Sequence, residues 1–204
     1  YDTVEELGEY VLDDLTAMLK GVVAAQQLAN SNVAEGGYVN NDTERESHEF
    51  FGAKISQFFV GADAYINAFS DHFGYEPGER QFKLGTPLLV SGPSGAGKST
   101  LSAGLAAWAR EKLEVHADDG AKVCVLVHHV GCTIHSKSHL TFVRRALGAL
   151  KMTFGIEKEI PTEDDQLVKC FGEWMEISAE RGYTLLVLDG VEHLNNSGNA
   201  HEMT

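Results

Sequence analysis

Ten consecutive residues, 91–100, have the types and spacing of a loop that binds phosphate groups, and they read SGPSGAGKST. They fit the pattern G-x-x-x-x-G-K-[ST] at every fixed position. Glycines let backbone N–H groups curl around a phosphate, and the following helix N-terminus adds partial positive charge. Lys98 would reach the β- and γ-phosphates, and the Ser99 hydroxyl would ligate Mg²⁺. The sequence thus predicts binding of ATP or ADP with Mg²⁺ through Gly92, Gly95, Ala96, Gly97, Lys98, Ser99 and Thr100.

The segments on either side of this loop are those that the chemistry requires. Residues 87–90, Pro-Leu-Leu-Val, form a short apolar run that predicts a buried strand leading into the loop. Behind the loop, apolar residues recur at helical spacing at Leu101, Leu105, Ala106 and Trp108. A chance Gly- and Ser-rich turn before a helix is the alternative, and the apolar run in front of the loop disfavours it.

A second signature lies ninety residues after Ser99, where residues 185–189 read Leu-Leu-Val-Leu-Asp. An apolar strand that ends in an aspartate places the carboxylate at the carboxyl edge of a parallel sheet, beside a phosphate loop. We therefore predict that Asp189 and Ser99 together hold Mg²⁺.

Apolar and polar segments alternate along the second half of the chain in the manner of an α/β protein. Nearly continuous apolar strands separated by helical patterns predict a parallel sheet with helices on both faces. The predicted strands are 87–90, 122–130 and 184–188, and the predicted helices between them are 98–112, 137–154 and 163–181. We divide the chain into a helical N-terminal region, 1–82, and a nucleotide-binding core, 83–204. The first region has predicted helices at 2–29, 48–60 and 64–73 and a flexible, Asn- and Gly-rich linker at about 30–47.

Composition limits the partners of this chain. Its formal net charge of −14 argues against a nucleic-acid surface and against attraction to anionic membranes. No stretch approaches the roughly 18 apolar residues of a membrane span. The three cysteines form no C-x-x-C pair, which favours a reducing compartment. These features predict a cytoplasmic protein that neither binds nucleic acid nor inserts into a membrane.

Residues 189–193, Asp-Gly-Val-Glu-His, resemble the NACHT group of STAND proteins, which are multidomain signal-transduction ATPases. Their strand ends in Asp-Gly/Ala/Ser-x-Asp-Glu, so Glu192 matches the fourth position and His193 replaces a carboxylate at the fifth. The resemblance implies a nucleotide-dependent conformational switch in which Lys98, Asp189 and Glu192 are catalytic and Glu192 positions water. It also implies slow or absent hydrolysis here, because an imidazole at His193 is a weaker base than a placed carboxylate.

Softer motifs over residues 44–194 are similar to nephrocystin-like and telomerase-associated-protein-like members of that group. They are His-Glu-x-Phe at 48–51, Phe-Val-Gly-Ala-Asp at 59–63, and Val-Leu-Val-His-His-Val-Gly-Cys-Thr at 125–133 followed by Ser138, which is similar to an H-x-x-G-x-S strand end. Ala62 stands where the group usually has an arginine near the adenine. The nephrocystin side of the resemblance implies a cilium or axoneme as the location.

The resemblance also implies a strand that follows the Asp189 strand and inserts beside the phosphate-loop strand. Residues 190–204 are too few to form it, so we expect an incomplete sheet in a piece of a longer signalling or scaffold protein. Its partners would be nucleotide, other domains of the same longer chain, and other proteins. We further expect that 1–204 does not fold cooperatively by itself.

Other interpretations remain open. A nucleotide or small-molecule kinase shares the same loop, although no Arg-rich acceptor segment is visible, and a purely structural nucleotide scaffold is the third possibility. The cluster His128, His129, Cys132 and His135 could bind zinc, although a buried strand end followed by a loop explains it equally well. His129 could instead sense the γ-phosphate. Arg144 and Arg145 are expected on an exposed helix face, with a clamp on phosphates or on a neighbouring subunit as the alternative.

Overall fold

The computed structural model describes residues 41–60, 62–73, 87–116 and 122–195. These ranges contain five α-helices and a two-stranded parallel sheet, so the described chain has mixed α/β structure. None of the described helices has the length and apolar character needed to cross a membrane. In chain order the elements are α1 (Asn41–Ser56), α2 (Asp63–Phe73), α3 (Lys98–His116), β1 (Lys122–His129), α4 (His139–Phe154), α5 (Asp164–Arg181) and β2 (Gly182–Asp189), followed by a 3₁₀ turn (Val191–His193).

The two strands pair in parallel over their full lengths. Their register runs from Lys122 opposite Gly182 to His129 opposite Asp189. Both strands are rich in Val and Leu, as expected for strands covered on both faces. The predicted strands 122–130 and 184–188 are thereby confirmed with small shifts at their ends. This register places the two polar residues that end the strands, His129 and Asp189, side by side.

Two apolar clusters cover the opposite faces of the sheet. Because side chains alternate along a strand, Leu186 and Leu188 face one cluster and Leu185 faces the other. The larger cluster joins β1 to α4 and α5 around the fully buried Leu147 and Trp174. The smaller one is built around buried residues of α2 and α3, namely Phe69, Leu105 and Ala109. The helices before and after β1 are therefore held on opposite sides of the strands that carry the site.

The edge of β1 away from β2 is covered by side chains rather than by another described strand. Arg110 donates to the Val125 carbonyl oxygen at 3.2 Å, and Arg145 donates to the Val127 carbonyl oxygen at 3.2 Å. One step further along the same edge, the backbone N–H of His129 donates to the imidazole of His48 at 3.0 Å. Helices α3, α4 and α1 each supply one of these side chains, so they are bound to the strand by polar contacts as well as by apolar packing.

Residues 87–90 do not form the predicted strand. They have no strand pairing within the described residues, and Leu89 is 82% exposed. A strand needs a neighbour to satisfy its backbone groups, and no described segment provides one here. Most of β2 is correspondingly only half-buried. The segment is apolar, as predicted, but it has no strand partner among the described residues.

The predicted linker at about 30–47 is wrong over its last seven residues. Helix α1 begins at Asn41, has Asp42 and Glu44 in its first turn and Lys54 in its last, and ends at Ser56 instead of Val60. These charges match the helix dipole at both ends, which favours a helix over a loop. The predicted helix 2–29 and the rest of the linker lie outside the described residues.

Gly182 is required where β2 starts beside β1. A Cβ atom at this position would overlap the backbone carbonyl oxygen of Lys122 and lie 2.8 Å from its nitrogen. We therefore expect Gly182→Ala to lower the free energy of unfolding by about 3 kcal/mol, the upper end for overpacking, as measured by urea denaturation. The control is Gly172→Ala on α5, where nothing lies within 4 Å. That variant should be neutral or stabilised by up to about 1 kcal/mol, and equal stabilities of the two variants would contradict the close approach.

Candidate functional site

A cleft of about 460 Å³ lies where the carboxyl ends of β1 and β2 meet the start of α3. Its wall contains three chain segments that the sequence analysis singled out separately. They are the glycine loop with the first residues of α3, the strand ends with the turn after β1, and the turn after β2. Phe51 of α1 closes one side. Since ligands of parallel sheets bind at the carboxyl edge, this is the position expected for a functional site.

The glycine loop has the backbone conformation that its sequence predicts. Gly95 and Gly97 have φ values of 78° and 83°, in the left-handed region that favours glycine. A Cβ at either position would touch nothing within 4 Å, so the backbone conformation rather than space requires glycine. Inside the loop, the N–H of Ala96 donates to the Pro93 carbonyl oxygen at 3.2 Å. Of the seven predicted binding residues, five line the cleft, and Gly92 and Ala96 instead shape the loop.

The Lys98 side chain folds back over this loop. Its Nζ atom donates to the carbonyl oxygens of Gly92 and Pro93 at 2.9 and 3.0 Å. These bonds keep the ammonium group at the cleft wall. Among the described residues they use two of its three N–H groups, and the third can reach a ligand. The cation and the N-terminus of the 19-residue helix α3 give this part of the cleft a positive potential.

Ser99 and Asp189 meet across the cleft. The Ser99 hydroxyl donates to Asp189 Oδ1 at 3.0 Å, although the two residues are ninety positions apart. Two neighbouring oxygens of an octahedral Mg²⁺ shell, each about 2.05 Å from the ion, are about 2.9 Å apart. The observed separation equals that octahedron edge within 0.1 Å or so. This is also the length of an ordinary O–H···O hydrogen bond, so the pair predicted to hold Mg²⁺ is compatible with one edge of such a shell.

Asp189 has a second partner in His129. The imidazole Nδ1–H donates to Asp189 Oδ2 at 2.8 Å, and both side chains are at least nine-tenths buried. Burial raises the pKa of the Asp189 carboxyl, but hydrogen bonds from His129 and Ser99 lower it, and the net pKa lies below the ordinary value. The carboxylate is thus ionised at neutral pH, which a cation ligand requires.

Behind these residues lies a buried network of histidines. His128 Nε2 donates to the Ser136 carbonyl oxygen at 2.7 Å, and its Nδ1 accepts from Arg145 at 2.9 Å. His48 Nδ1 accepts the His129 backbone N–H, and its Nε2 lies 3.5 Å from Glu44 Oε2. Burial lowers the pKa of His128 to about 3 and that of His48 to about 2. Both rings are therefore neutral, each with its acceptor nitrogen occupied.

The same network disfavours the zinc interpretation. Cys132 Sγ lies 3.3 Å from His48 Nδ1, and burial raises the pKa of this thiol to about 12, so the sulfur is a neutral thiol and not the thiolate that zinc requires. Both ring nitrogens of His128 are already bonded. Among the described residues no group of three or more His, Cys, Asp and Glu is arranged to hold a metal ion. The alternative, a buried strand end followed by a loop, describes His128 and His129 correctly.

Arg145 does not lie on an exposed helix face as predicted. It is 5% exposed, bonded to the Val127 carbonyl oxygen and to His128, and burial lowers its pKa to about 10. Its guanidinium is committed to β1, so it does not clamp a phosphate either. Arg144 is half-buried and donates to the Pro161 carbonyl oxygen at 3.3 Å. The strand edge attracts Arg145 because its carbonyl groups need donors that no described strand supplies.

The turn after β2 brings Glu192 and His193 to the rim of the cleft. Both line it, and their side chains are 57% and 66% exposed. Glu192 Oε1 and His193 Nε2 are 4.0 Å apart. Neither side chain is held by a buried partner among the described residues. The predicted water-positioning residue, Glu192, therefore lies at the rim of the cleft with an exposed carboxylate.

Sequence reasoning named His48 and Phe51 as parts of a motif but did not place them, or Glu44, at the site. Glu44 and His48 are 2% exposed, and the Thr133 hydroxyl after β1 donates to Glu44 at 3.0 Å. The ring of Phe51 packs edge-on to His129 at 4.9 Å. One signal was available: Glu44, His48 and Phe51 recur at helical spacing, as do residues on one face of a helix.

Comparisons of the chain with protein-family models, with curated proteins and with solved structures gave no match. The interpretation of the site therefore depends on its own geometry and chemistry.

Proposed function

We propose that this chain binds a nucleoside triphosphate with Mg²⁺, ATP in the first place, in the cleft between the glycine loop and β2. The observation that carries the proposal is the 3.0 Å hydrogen bond between Ser99 and Asp189, which joins the two halves of the predicted site across ninety residues. A chance glycine loop would have no reason to end beside a buried, ionised carboxylate. The fold would accordingly be that of a P-loop NTPase core.

Each residue of the cleft has a distinct role in this proposal. Backbone N–H groups of the loop and the start of α3 bind the β-phosphate, and Lys98 binds the β- and γ-phosphates. Ser99 and Asp189 hold Mg²⁺, which neutralises the charge that develops on the phosphate oxygens. The chain as a whole has a formal net charge of −14 and repels anions. The positively charged loop is therefore the place where an anion such as ATP is attracted.

We further propose that the chain is the ATP-binding core of a STAND-type signalling or scaffold protein. This proposal extends the sequence resemblance over residues 44–194, and the packing of α1 against the cleft supports it, because a switch must connect the nucleotide to other elements. Other domains and other proteins would respond to the bound nucleotide. We also propose that the protein is cytoplasmic and, more specifically, that it is located in the cilium.

The exposure of Glu192 favours slow hydrolysis of the bound nucleotide. The second candidate function is nucleotide binding without hydrolysis. A general base must be held within hydrogen-bond reach of the attacking water. Glu192 is 57% exposed and 4.0 Å from the imidazole of His193. Turnover therefore requires a rearrangement of the turn at Val191–His193 when the nucleotide binds.

Binding and turnover can be measured separately on the full-length protein. We expect a fluorescent ATP analogue to bind in the presence of Mg²⁺, and we expect phosphate release to be slow. Glu192→Gln should retain the affinity for ATP and lose phosphate release. If the wild-type protein binds ATP but releases no phosphate, the scaffold is the better description. If it binds no nucleotide under any condition, the proposed function is wrong.

A further inference from the structure

We propose that His129 is a positioning residue of the Mg²⁺ site, which turns the Asp189 carboxylate toward Ser99 and is itself held in place by α1. This inference rests on the proposed function and adds to it a residue outside the phosphate loop and the Asp189 strand. It also assigns a role in nucleotide binding to a helix that precedes the core.

The two oxygens of Asp189 are used differently. Oδ2 accepts from His129 Nδ1 at 2.8 Å, and Oδ1 accepts from Ser99 Oγ at 3.0 Å. Rotation of the carboxylate away from Ser99 would break its bond to His129, which is buried and therefore costly to lose. His129 is only 1% exposed, and the strand register holds its backbone beside Asp189. The imidazole thus fixes which oxygen faces the cleft.

The other nitrogen of the ring supports a functional role. His129 Nε2 is buried and has no hydrogen-bond partner among the described residues. An unpaired buried polar atom destabilises a folded protein, so a packing role alone would favour an apolar residue here. The polar function of this ring therefore lies in its Nδ1, which bonds to Asp189.

Helix α1 determines where this ring lies. A Cβ atom added to Gly52 would be 3.2 Å from His129 Nε2, so the helix backbone passes directly against the imidazole. The Phe51 ring contacts the His129 ring at a centroid distance of 4.9 Å, and His48 accepts the backbone N–H of His129 at 3.0 Å. Three neighbouring positions of α1 therefore touch one histidine, and a displacement of α1 would displace Asp189 through it.

The test compares His129→Leu with His129→Asn in the full-length protein. The Asn amide places an N–H donor near the position of Nδ1, whereas Leu fills a similar volume without a donor. The affinity for a fluorescent ATP analogue is measured in EDTA and then over a range of Mg²⁺ concentrations. His129→Leu should raise the Mg²⁺ concentration for half-saturation by about 10- to 100-fold, as for other residues that orient metal ligands. His129→Asn should raise it much less, and neither variant should change the affinity in EDTA by more than about twofold, because the loop contacts remain.

A purely structural role predicts the opposite order, since Leu suits a buried position better than Asn does. If His129→Leu has the Mg²⁺ requirement of the wild type, or if His129→Asn is impaired as strongly as His129→Leu, the proposal is wrong while nucleotide binding stands. If the wild type binds no nucleotide in EDTA or in Mg²⁺, the proposed function and this inference fall together. His135→Asn, on the loop after β1 and outside the cleft wall, is the control for a histidine substitution.

A second variant decides the question if His129→Leu does not fold. Gly52→Ala places a methyl group against Nε2 and should raise the Mg²⁺ requirement several-fold without lowering the melting temperature, because Ala also favours the helix. Gly172→Ala, on an open face of α5, is its matched control and should leave the Mg²⁺ requirement unchanged. Equal Mg²⁺ requirements in these two glycine variants would overturn the proposal.

Discussion

Lys98→Ala is expected to weaken the binding of Mg·ATP by about two orders of magnitude, the equivalent of one or two hydrogen bonds from a charged group. Lys98 Nζ is held at the cleft wall by the carbonyl oxygens of Gly92 and Pro93, so its charge is in place before a ligand arrives. The substitution removes that charge and leaves the loop glycines and the pair Ser99 and Asp189 unchanged. The affinity should be measured with a fluorescent ATP analogue by equilibrium titration.

The matched control for this prediction is Lys112→Ala on the same helix. Lys112 lies more than three turns further along α3 and pairs with Glu111 at 2.9 Å. The Lys112→Ala variant should bind ATP with the affinity of the wild type. Because Lys98 bonds only to the exposed loop among the described residues, its loss should change the free energy of unfolding by no more than about 0.5 kcal/mol. Retention of wild-type affinity by Lys98→Ala would show that the loop does not bind phosphate in the way we propose.

The folded protein is expected to lose about 3 kcal/mol of stability between pH 6.5 and pH 5 through its two buried neutral histidines. Burial lowers the pKa of His128 to about 3 and that of His48 to about 2. Both values lie below the unfolded pKa of about 6.5, so in this range the unfolded chain takes up protons that the folded chain does not. The stability that comes from these two neutral rings is present above the unfolded pKa of about 6.5. It is lost as the pH falls from there toward the pKa values that the two rings have in the folded protein. Urea denaturation at pH 7.5, 6.5 and 5 would measure it.

A variant without one of the two rings tests the cause of this pH dependence. His48→Asn should reduce the loss between pH 6.5 and pH 5 by about half, because one of the two titrating groups is gone. Its absolute stability will also fall, since the ring contact of His48 with His128 is lost, but the pH slope is independent of that change. An unchanged slope in His48→Asn, or a stability that does not vary with pH in the wild type, would contradict the assignment of neutral rings.

The residues of the cleft could be predicted from the sequence because each half of the site is a local pattern. A glycine loop before a helix and an aspartate after an apolar strand are both visible within about ten residues. The meeting of Ser99 and Asp189 was predicted from a strand at 87–90. That strand is not formed among the described residues, and the packing of α3 against the sheet brings the two residues together instead. The positions of β1, β2 and the helices α2 to α5 were predicted because their apolar periodicity is strong.

What could not be predicted depends on partners far away in the chain. Arg145 has the sequence context of a surface residue, and only the carbonyl groups of β1 explain its burial. Residues 87–90 have the composition of a strand, but pairing requires a neighbour that the described residues lack. Helix α1 begins in a polar run typical of a linker, and the contacts that stabilise it are made with β1 and with the turn after β1, about 80 residues away.

The side chains along the outer edge of β1 have a consequence for solubility. An open strand edge is a template on which another polypeptide can add a strand, the first step of aggregation. Here the Val125 and Val127 carbonyl oxygens and the His129 N–H are already bonded to Arg110, Arg145 and His48, so an incoming strand would have to displace three side chains from three helices. Two of those side chains carry positive charge, and an incoming strand would deprive both cations of their carbonyl partners. Strand β1 is thereby kept from recruiting its own copies.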